Sequence, residues 1–388
     1  MPTIRSWRKA TMRFIYHEWD GSEFPTQEHL QHFSNFMEYL LEYGDDALRA
    51  LEELTENPEQ RAIIEKWIEE GLLDKVGVRF RLTPRAVNSM QRKALMEVFK
   101  NLRPDAPEGH ESTSTGVGGE RTDETRAYRF GDPVSDLDLS ATLRNAVQRG
   151  GSGVPIRLQE RDFEVHQTES KATCSTVILL DMSGSMSRWQ RFAQAKKCAM
   201  AIYALIKQRF ILDTVDVVGF HSGAGPIPEH KLALAMPKRI STYDPQIRMR
   251  VAIKDLADAP QHFTNLHMGL MTARKILRRR GGRNKQVFII TDGQPTAHVE
   301  GDHVYLLYPP DEATALATLS EAVLIAREGV RFSTFALVED YYYMDWINFV
   351  DQLTRCTKGT AFYCTSGNLS SCVMESFLSG HKTKAFLV

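Results

Sequence analysis

Five oxygen-bearing side chains occur in an order that suits a hard divalent cation. Asp181, Ser183 and Ser185 form an Asp-x-Ser-x-Ser motif, and Thr264 and Asp292 follow further along the chain. Mg²⁺ prefers oxygen ligands in near-octahedral geometry and readily keeps water molecules, so hydroxyls and carboxylates are suitable donors. If only one of the two carboxylates bonds directly, the ion stays electron-poor and accepts a further oxygen. A carboxylate from another protein would fit as that further ligand, and Mn²⁺ is the alternative ion.

The segments that carry these side chains can be assigned from their sequence. STVILLDMS and KQVFIIT are apolar, β-branched runs typical of strands buried on both faces of a sheet, and Asp181 and Asp292 stand at their carboxyl ends. Thr264 lies in a loop, HFTN, that precedes a helical segment. Ligands of doubly wound sheets bind outside the carboxyl ends of the strands. The five side chains are therefore expected at one rim of the sheet.

Each part of the pattern also has a simpler explanation when it is taken alone. Asp-x-Ser-x-Ser suits a turn after a strand, Thr264 suits a helix N-cap, and Asp292 suits a turn. Six histidines between Asp181 and His303 raise the alternative of a zinc or iron site, but His-Glu-x-x-His does not occur. We interpret these histidines as surface residues or as neighbours of the metal ligands, with His221 near the rim. Only the joint occurrence of the five oxygen ligands predicts a metal site.

Three segments, ILLDMSGSM, TNLHMGL and FIITDGQP, resemble the motif segments of von Willebrand factor type A (vWA) domains. The resemblance covers residues 173–388 and implies a metal-ion-dependent adhesion site formed by Asp181, Ser183, Ser185, Thr264 and Asp292. It also implies that Mg²⁺ at this site binds an acidic residue of a protein ligand. All five positions have their match here, in the family's order.

The alternation of strands and helices independently predicts the fold of residues 173–388. Helix-like runs separate the strand-like runs, which indicates an α/β class with a doubly wound, mostly parallel sheet. HKLALAMPKRI is interpreted as an edge strand of that sheet. Residues 126–172 are interpreted as a connecting segment. Residues 104–125 are rich in Pro, Gly, Ser, Thr and charged residues, which predicts a flexible linker.

Residues 1–103 show helical periodicity, as in HLQHFSNFMEYLLEYG, and predict a helical N-terminal region. The segment EGLLDKVGVRFRLTPRAVNSM is similar to the wing of winged-helix domains, with a short strand pair before a Thr83-Pro84 helix start. Acidic residues slightly outnumber basic ones in this region, whereas a DNA-binding module normally carries a basic surface. A structural or docking role is therefore favoured over nucleic-acid binding.

The bulk composition favours a soluble cytoplasmic protein. Basic and acidic residues are nearly balanced, 48 against 49, so there is no bulk argument for nucleic acid or an acidic membrane as a partner. No apolar run is long enough for a membrane helix. The five cysteines are an odd number at scattered positions, which argues against a disulfide framework.

Among enzymes, a phosphatase of the haloacid dehalogenase type is the main alternative, because it too begins with an Asp after a strand. Phosphatases of that class carry an Asp-x-Asp-x-Thr motif, and the second Asp of this motif transfers protons. Ser183 occupies that position here and cannot do so. Neither a Gly-x-Ser-x-Gly elbow nor a phosphate-binding Gly-x-x-x-x-Gly-Lys loop occurs. A non-enzymatic binding role is therefore expected, with a metal-dependent hydrolase as the alternative.

The layout resembles stand-alone cytoplasmic vWA proteins of prokaryotes and the A-domain subunits that accompany AAA+ ATPases of the MoxR or magnesium-chelatase class. This resemblance implies an adaptor that recruits a client or a motor through its Mg²⁺. The sequence has no ATPase motif, so the motor is expected to be a separate chain. A nucleic-acid-associated regulator acting through the N-terminal region is the second alternative.

Overall fold

The computed structural model describes residues 27–373 and 385–386, with gaps inside the first range. The gaps are 56, 78, 101–114, 130–131, 133–134, 136, 152, 154, 170–172, 189, 211, 242–243, 283, 339–343, 366 and 370. Residues 1–26 of the N-terminal region and residues 104–114 of the predicted linker lie outside the described residues.

The described part of the N-terminal region is helical with one hairpin, as predicted. Its elements are α1 (Gln27–Tyr43), α2 (Asp45–Leu54), α3 (Pro58–Glu69), β1 (Leu73–Val76), β2 (Arg79–Leu82) and α4 (Pro84–Lys100). The apolar positions of α1, including Phe36 and Leu40, recur at helical spacing and are buried. Gly44 has a φ of 57°, a left-handed value that favours glycine, between α1 and α2. The Thr83 hydroxyl accepts from the Ala86 amide at 3.2 Å and caps α4.

A small three-stranded sheet follows, where a linker and a connecting segment were predicted. Its strands are β3 (Thr115–Ala127), β4 (Leu137–Asp138) and β5 (Glu164–Glu169), with α5 (Leu139–Gly150) between β4 and β5. The order is β3-β5-β4, and both pairings are antiparallel. The predicted linker over residues 104–125 is therefore wrong for residues 115–125. A polar strand can pair through backbone hydrogen bonds alone, so it lacks the apolar alternation that marks half-buried strands.

Residues 173–388 contain the predicted doubly wound sheet. The order is β15-β14-β13-β10-β6-β7-β8, and every pairing is parallel except that of β8. The strands are β6 (Cys174–Asp181), β7 (Thr214–Phe220), β8 (Ala224–Ile227), β10 (Asn284–Thr291), β13 (Val330–Leu337), β14 (Thr360–Cys364) and β15 (Ala385–Phe386). This topology confirms the predicted α/β class.

Helices cover both faces of this sheet. They are α6 (Arg191–Arg209), α7 (Glu229–Leu232), α8 (Leu266–Arg279), α9 (Glu312–Arg327) and α10 (Met344–Thr357). Successive residues of a strand point to opposite faces. Ile178 accordingly packs in the core shared with α6 and the N-terminal helices, and Leu179 packs in the core shared with α8, α9 and α10. The N-terminal region and the sheet thus share one hydrophobic core through α6.

The predicted edge strand HKLALAMPKRI is wrong. Residues 229–232 form the short helix α7, an irregular segment follows it, and β8 is the edge strand instead. A buried lysine binds backbone acceptors of the irregular segment. Lys196 of α6 donates from its Nζ atom to the carbonyl oxygens of Ala233 at 2.9 Å and Ala235 at 3.0 Å, so a side chain satisfies these backbone acceptors.

A second, antiparallel sheet lies in the order β11-β12-β9. Its strands are β9 (Ile247–Ala252), β11 (Ala297–Glu300) and β12 (His303–Tyr308). His298 lies in β11 and His303 lies in β12. The two-residue alternation of β12, in which Val304 and Leu306 are fully buried, was the sequence signal for this sheet.

Candidate metal centre

Asp181 ends the central strand β6, with β10 and β7 on its two sides. Asp181 is fully buried. The Ser183 amide donates to Asp181 Oδ1 at 2.8 Å, and the Thr291 hydroxyl donates to Asp181 Oδ2. The loop after β6 and the end of β10 therefore both hold this carboxylate at the carboxyl rim of the sheet.

A chain of polar contacts joins the two serines to Asp292. Ser183 Oγ and Ser185 Oγ lie 3.1 Å apart, within hydrogen-bond distance. The Ser185 hydroxyl donates to Asp292 Oδ1 at 2.7 Å. Because Asp292 follows β10 directly, the chain connects the loop after β6 with the loop after β10. The structure thus brings four of the five predicted residues together at one rim.

Thr264 is held next to this cluster by its backbone. The Thr264 amide donates to the Thr296 hydroxyl at 2.8 Å, and the Thr264 carbonyl accepts from the Thr296 amide at 3.0 Å. The neighbouring residue Asn265 is the N-cap of α8, since its side chain accepts from the Met268 amide at 3.0 Å. Among the described residues, no hydrogen bond joins the Thr264 hydroxyl to the other four predicted ligands. The capping role considered for Thr264 belongs to Asn265.

Gly184 lets the loop that carries Thr264 approach the serine loop. The Gly184 amide donates to the His262 carbonyl at 2.9 Å. A Cβ atom added at Gly184 would lie 2.6 Å from Ile240 Cγ1 and 3.1 Å from His262 Cβ. Any larger residue would force these two neighbours away. Glycine between the two serines therefore brings the loop of Thr264 close to the Asp-x-Ser-x-Ser loop.

The electrostatics of the cluster favour a bound cation. Burial, together with the negative charge of Asp292, raises the pKa of Asp181 to about 7. Burial also raises the pKa of Asp292, although Ser185 and Arg191 act in the opposite direction. Two carboxylates that are both removed from water destabilise each other's charged form. All the candidate donors are oxygen atoms, so the donor set fits a hard divalent ion such as Mg²⁺.

Arg191 is a residue of this cluster that the motif search did not include. Its Nη1 atom donates to Asp292 Oδ2 at 2.7 Å, and the exposed fractions of the two side chains are 8% and 0%. One sequence signal could have found it: Arg191 is the first residue of α6. A cation at the amino end of a helix opposes the helix dipole, so its presence there calls for a specific partner.

Two of the histidines considered as alternative ligands, His267 and His298, have other hydrogen-bond partners. His298 lies with its Nδ1 atom 2.9 Å from the Thr314 hydroxyl and stacks on Tyr305. The Val299 amide donates to His267 Nδ1 at 3.0 Å. His221 is half-buried after β7, and burial lowers its pKa to about 4. Within the described ranges, no group of three or more His, Cys, Asp or Glu side chains is placed to hold a metal ion.

The sheet and the loops at its rim are those of a vWA domain. Residues 174–378 match the family model described as "Rv0959-like protein, vWA domain", and residues 120–168 match the model described as "Rv0959-like protein, third domain". The first match alone covers more than half of the chain. The protein therefore belongs to the Rv0959-like family of vWA domain proteins.

Curated relatives extend well beyond the matched part. The chain is 29% identical over 319 residues to the uncharacterized proteins Rv0959 of Mycobacterium tuberculosis and Mb0984 of Mycobacterium bovis. The match covers 80% of this chain and 44% of each relative, so the chain spans less than half the length of these proteins.

Two solved structures are similar to just over half of this chain, with low TM-scores. The PilB minor pilin of Streptococcus sanguinis has a TM-score of 0.40 and 13% identity over 55% of this chain and 63% of that chain. The vWF domain of the pilus tip protein Mfa5 of Porphyromonas gingivalis has a TM-score of 0.37 and 12% identity over 53% and 93%. Similarity at this level carries no conclusion about ligands.

In the described part of the chain, no helix has the length and apolar character to cross a membrane.

Proposed function

We propose that this protein is a Mg²⁺-dependent adaptor that binds an acidic segment of another protein at the rim of its vWA domain. One observation carries the proposal: two fully buried carboxylates and two serine hydroxyls form a continuous polar cluster at the carboxyl ends of β6 and β10. Polar groups with this degree of burial are costly unless they have a specific partner.

The residues divide the work of binding between them. Asp181, Ser183 and Ser185 are the proposed direct ligands, and Thr264 is the proposed ligand from the neighbouring loop. Asp292 acts through Ser185, whose hydroxyl it orients by accepting its hydrogen bond. When bound, Mg²⁺ supplies an electron-poor centre that accepts one more oxygen ligand. A carboxylate of the partner protein is the ligand that matches this centre in charge and hardness.

A binding role fits the residues of the cluster better than hydrolysis. Ser183 contributes a hydroxyl where a hydrolase of the haloacid dehalogenase type needs a second carboxylate for proton transfer. Asp292, the other carboxylate, is held by Ser185 and Arg191 and has no exposed side-chain surface. We therefore propose that the protein is not an enzyme.

The N-terminal region is proposed as a docking platform. Its helices α1 and α4 pack on α6, where Lys197 Nζ lies 3.2 Å from Glu38 Oε2 and 2.8 Å from Glu97 Oε2. The surface of the N-terminal region that does not contact α6 therefore lies beside the vWA domain. We propose a separate AAA+ ATPase of the MoxR or magnesium-chelatase class as the motor that uses this platform, in the cytoplasm.

The test is affinity capture from native lysate with Mg²⁺ or with a chelator, using the wild type, Asp181→Ala and Asp258→Ala. Asp258 is an exposed residue outside the cluster and serves as the matched control. The proposal expects partners that are retained by the wild type and Asp258→Ala only with Mg²⁺, and not by Asp181→Ala. Replacement of acidic residues in a captured partner should abolish its retention. Capture that survives both the chelator and Asp181→Ala would contradict the proposal.

A further inference from the structure

Arg191 stands where a cation is electrostatically disfavoured. It is the first residue of the 19-residue helix α6, and the amino end of a helix carries a partial positive charge. The residue before it, Gln190, has a φ of 57°, which L-residues rarely adopt. The Arg191 side chain is nearly buried at 8% exposure. The charge of Arg191 and the backbone conformation of Gln190 therefore oppose stability unless a specific contact offsets them.

That contact is with Asp292. Arg191 Nη1 donates to Asp292 Oδ2 at 2.7 Å, while Asp292 Oδ1 accepts from the Ser185 hydroxyl at 2.7 Å. Both oxygens of Asp292 thus have a donor from the chain itself. Asp181, by contrast, accepts from the Ser183 amide and the Thr291 hydroxyl, both of which are neutral. The two carboxylates of the cluster differ in that Asp292 has a formally charged partner.

We infer that Arg191 is a positioning residue that keeps Asp292 from bonding the metal ion directly. The inference rests on the proposed function and names the residue that tunes it. With Arg191 in place, the cluster offers the ion one uncompensated carboxylate, that of Asp181. Arg191 therefore lowers the affinity of the site for the ion alone. Because Asp292 does not bond the ion, the ion keeps the positive charge that attracts the carboxylate of the partner protein.

The guanidinium group suits this role better than an ammonium group. It is planar, stays charged at all ordinary pH values, and donates in a fixed direction. A lysine at this position has a shorter reach and donors around a single point, so it would hold Asp292 less firmly. We therefore expect the metal affinity to increase from Arg through Lys to Gln at this position.

The experiment measures Mn²⁺ binding to the whole chain by the paramagnetic resonance signal of the free ion. Arg191→Gln should lower the Kd for Mn²⁺ by about tenfold or more, because a positive charge near the ion is removed and Asp292 becomes free to bond it. Arg191→Lys should give an intermediate Kd. Arg188→Gln is the matched control, since Arg188 is an exposed cation in the same loop. Its Kd should stay close to that of the wild type.

A second readout separates positioning from a general change of fold. The number of water molecules on bound Mn²⁺, measured by proton relaxation, should fall in Arg191→Gln because an Asp292 oxygen replaces a water. If the wild type binds Mn²⁺ and Arg191→Gln binds it equally or more weakly, the role of Arg191 is overturned. The proposed function is not affected by that result. An equal effect of Arg188→Gln overturns the role of Arg191 as well. If Arg191→Gln does not fold, Arg191→Lys decides by the same criteria. A wild type that binds no Mn²⁺ overturns the proposed function itself.

Discussion

Two arginine–aspartate pairs in this protein share a contact distance but differ in their surroundings. Arg149 and Asp162 belong to the small three-stranded domain, and their closest atoms lie 2.7 Å apart. Arg191 and Asp292 belong to the rim of the vWA sheet, and their closest atoms also lie 2.7 Å apart. In both pairs the aspartate side chain is almost fully buried.

The pKa values of the two aspartates nevertheless move in opposite directions. The Arg149 guanidinium binds both oxygens of Asp162, at 2.8 Å and 2.7 Å, and lowers the pKa of Asp162 to about 2. At the rim, burial raises the pKa of Asp292 although Arg191 opposes the shift. One cation serves one carboxylate in the first pair, and one cation faces two carboxylates in the second. Asp292 therefore shares its surroundings with the buried carboxylate of Asp181, whereas Asp162 has a guanidinium group bound to both of its oxygens.

The largest predicted difference between the two sites concerns metal binding. Asp181→Ala should raise the Kd for Mn²⁺ by more than about 100-fold, since even residues that only support a metal ligand cost up to that factor. Asp162→Asn should leave the Kd unchanged, because the Arg149–Asp162 pair is already neutral. Isothermal titration of both variants checks the contrast. A similar loss in both variants would remove the distinction between the two sites.

Metal should also stabilise the protein through the rim. At a Mg²⁺ concentration of 100 times the Kd, preferential binding to the folded state adds about 2.7 kcal/mol to the free energy of unfolding. Thermal unfolding with Mg²⁺ and with a chelator measures this increment. Arg149→Met should keep the whole increment and Asp181→Ala should lose it. An increment that persists in Asp181→Ala would place the ion elsewhere.

A smaller effect is predicted for the ligand on the neighbouring loop. Thr264→Val removes the hydroxyl but keeps the shape, and the backbone bonds to Thr296 hold the loop in place. The Kd for Mn²⁺ should rise by about tenfold. Circular dichroism should show an unchanged fold. Metal affinity equal to that of the wild type would exclude the Thr264 hydroxyl from the site.

The smallest predicted effect is a pH dependence of the Arg149–Asp162 pair. Because Arg149 lowers the pKa of Asp162 in the folded state, the pair stabilises the protein above the ordinary aspartate pKa of about 4. That contribution is lost as the pH falls towards about 2. Hydrogen-exchange protection of α5 should therefore differ between the wild type and Arg149→Met at pH 6, and the difference should shrink at pH 3. A constant difference would contradict the assignment.

The rim should show the opposite sign when metal is absent. Burial, with Asp292 nearby, raises the pKa of Asp181 to about 7, so the folded state binds a proton that the unfolded chain has already released. In a chelator, the stability contributed by this group should fall as the pH rises from about 4 to about 7. Thermal unfolding in a chelator at pH 5 and pH 7.5 measures it, and Mg²⁺ should reduce the decline.

The parts of the structure that local sequence determines could be predicted. β6 and β10 are continuous apolar runs, and the end of each run placed Asp181 and Asp292 at the same rim. The helices of the N-terminal region followed from periodicity, as with Phe36 and Leu40 on α1. Asp181 is the last residue of β6, and Asp292 directly follows β10. Their gathering at one rim therefore followed from the fold class.

Features that depend on distant contacts could not be predicted in the same way. Arg191 and Asp292 are 101 residues apart in the sequence, so their contact depends on the tertiary structure. The sequence around Ala233 indicated a strand. It does not show that Lys196, 37 residues earlier, donates a hydrogen bond to the Ala233 carbonyl oxygen. β3 is polar and pairs with β5 through its backbone, so its residue types indicated a linker.

The most direct test of the proposed cation at the rim is a crystal structure with Mn²⁺ and an anomalous difference map at the manganese edge. The account predicts a single strong peak within bonding distance of Asp181, Ser183 and Ser185, with Asp292 still bound to Arg191. The expected metal–oxygen distances are about 2.0 to 2.2 Å, as for an octahedral ion of the magnesium type. An empty rim at saturating Mn²⁺, or a peak at another site instead, would contradict it.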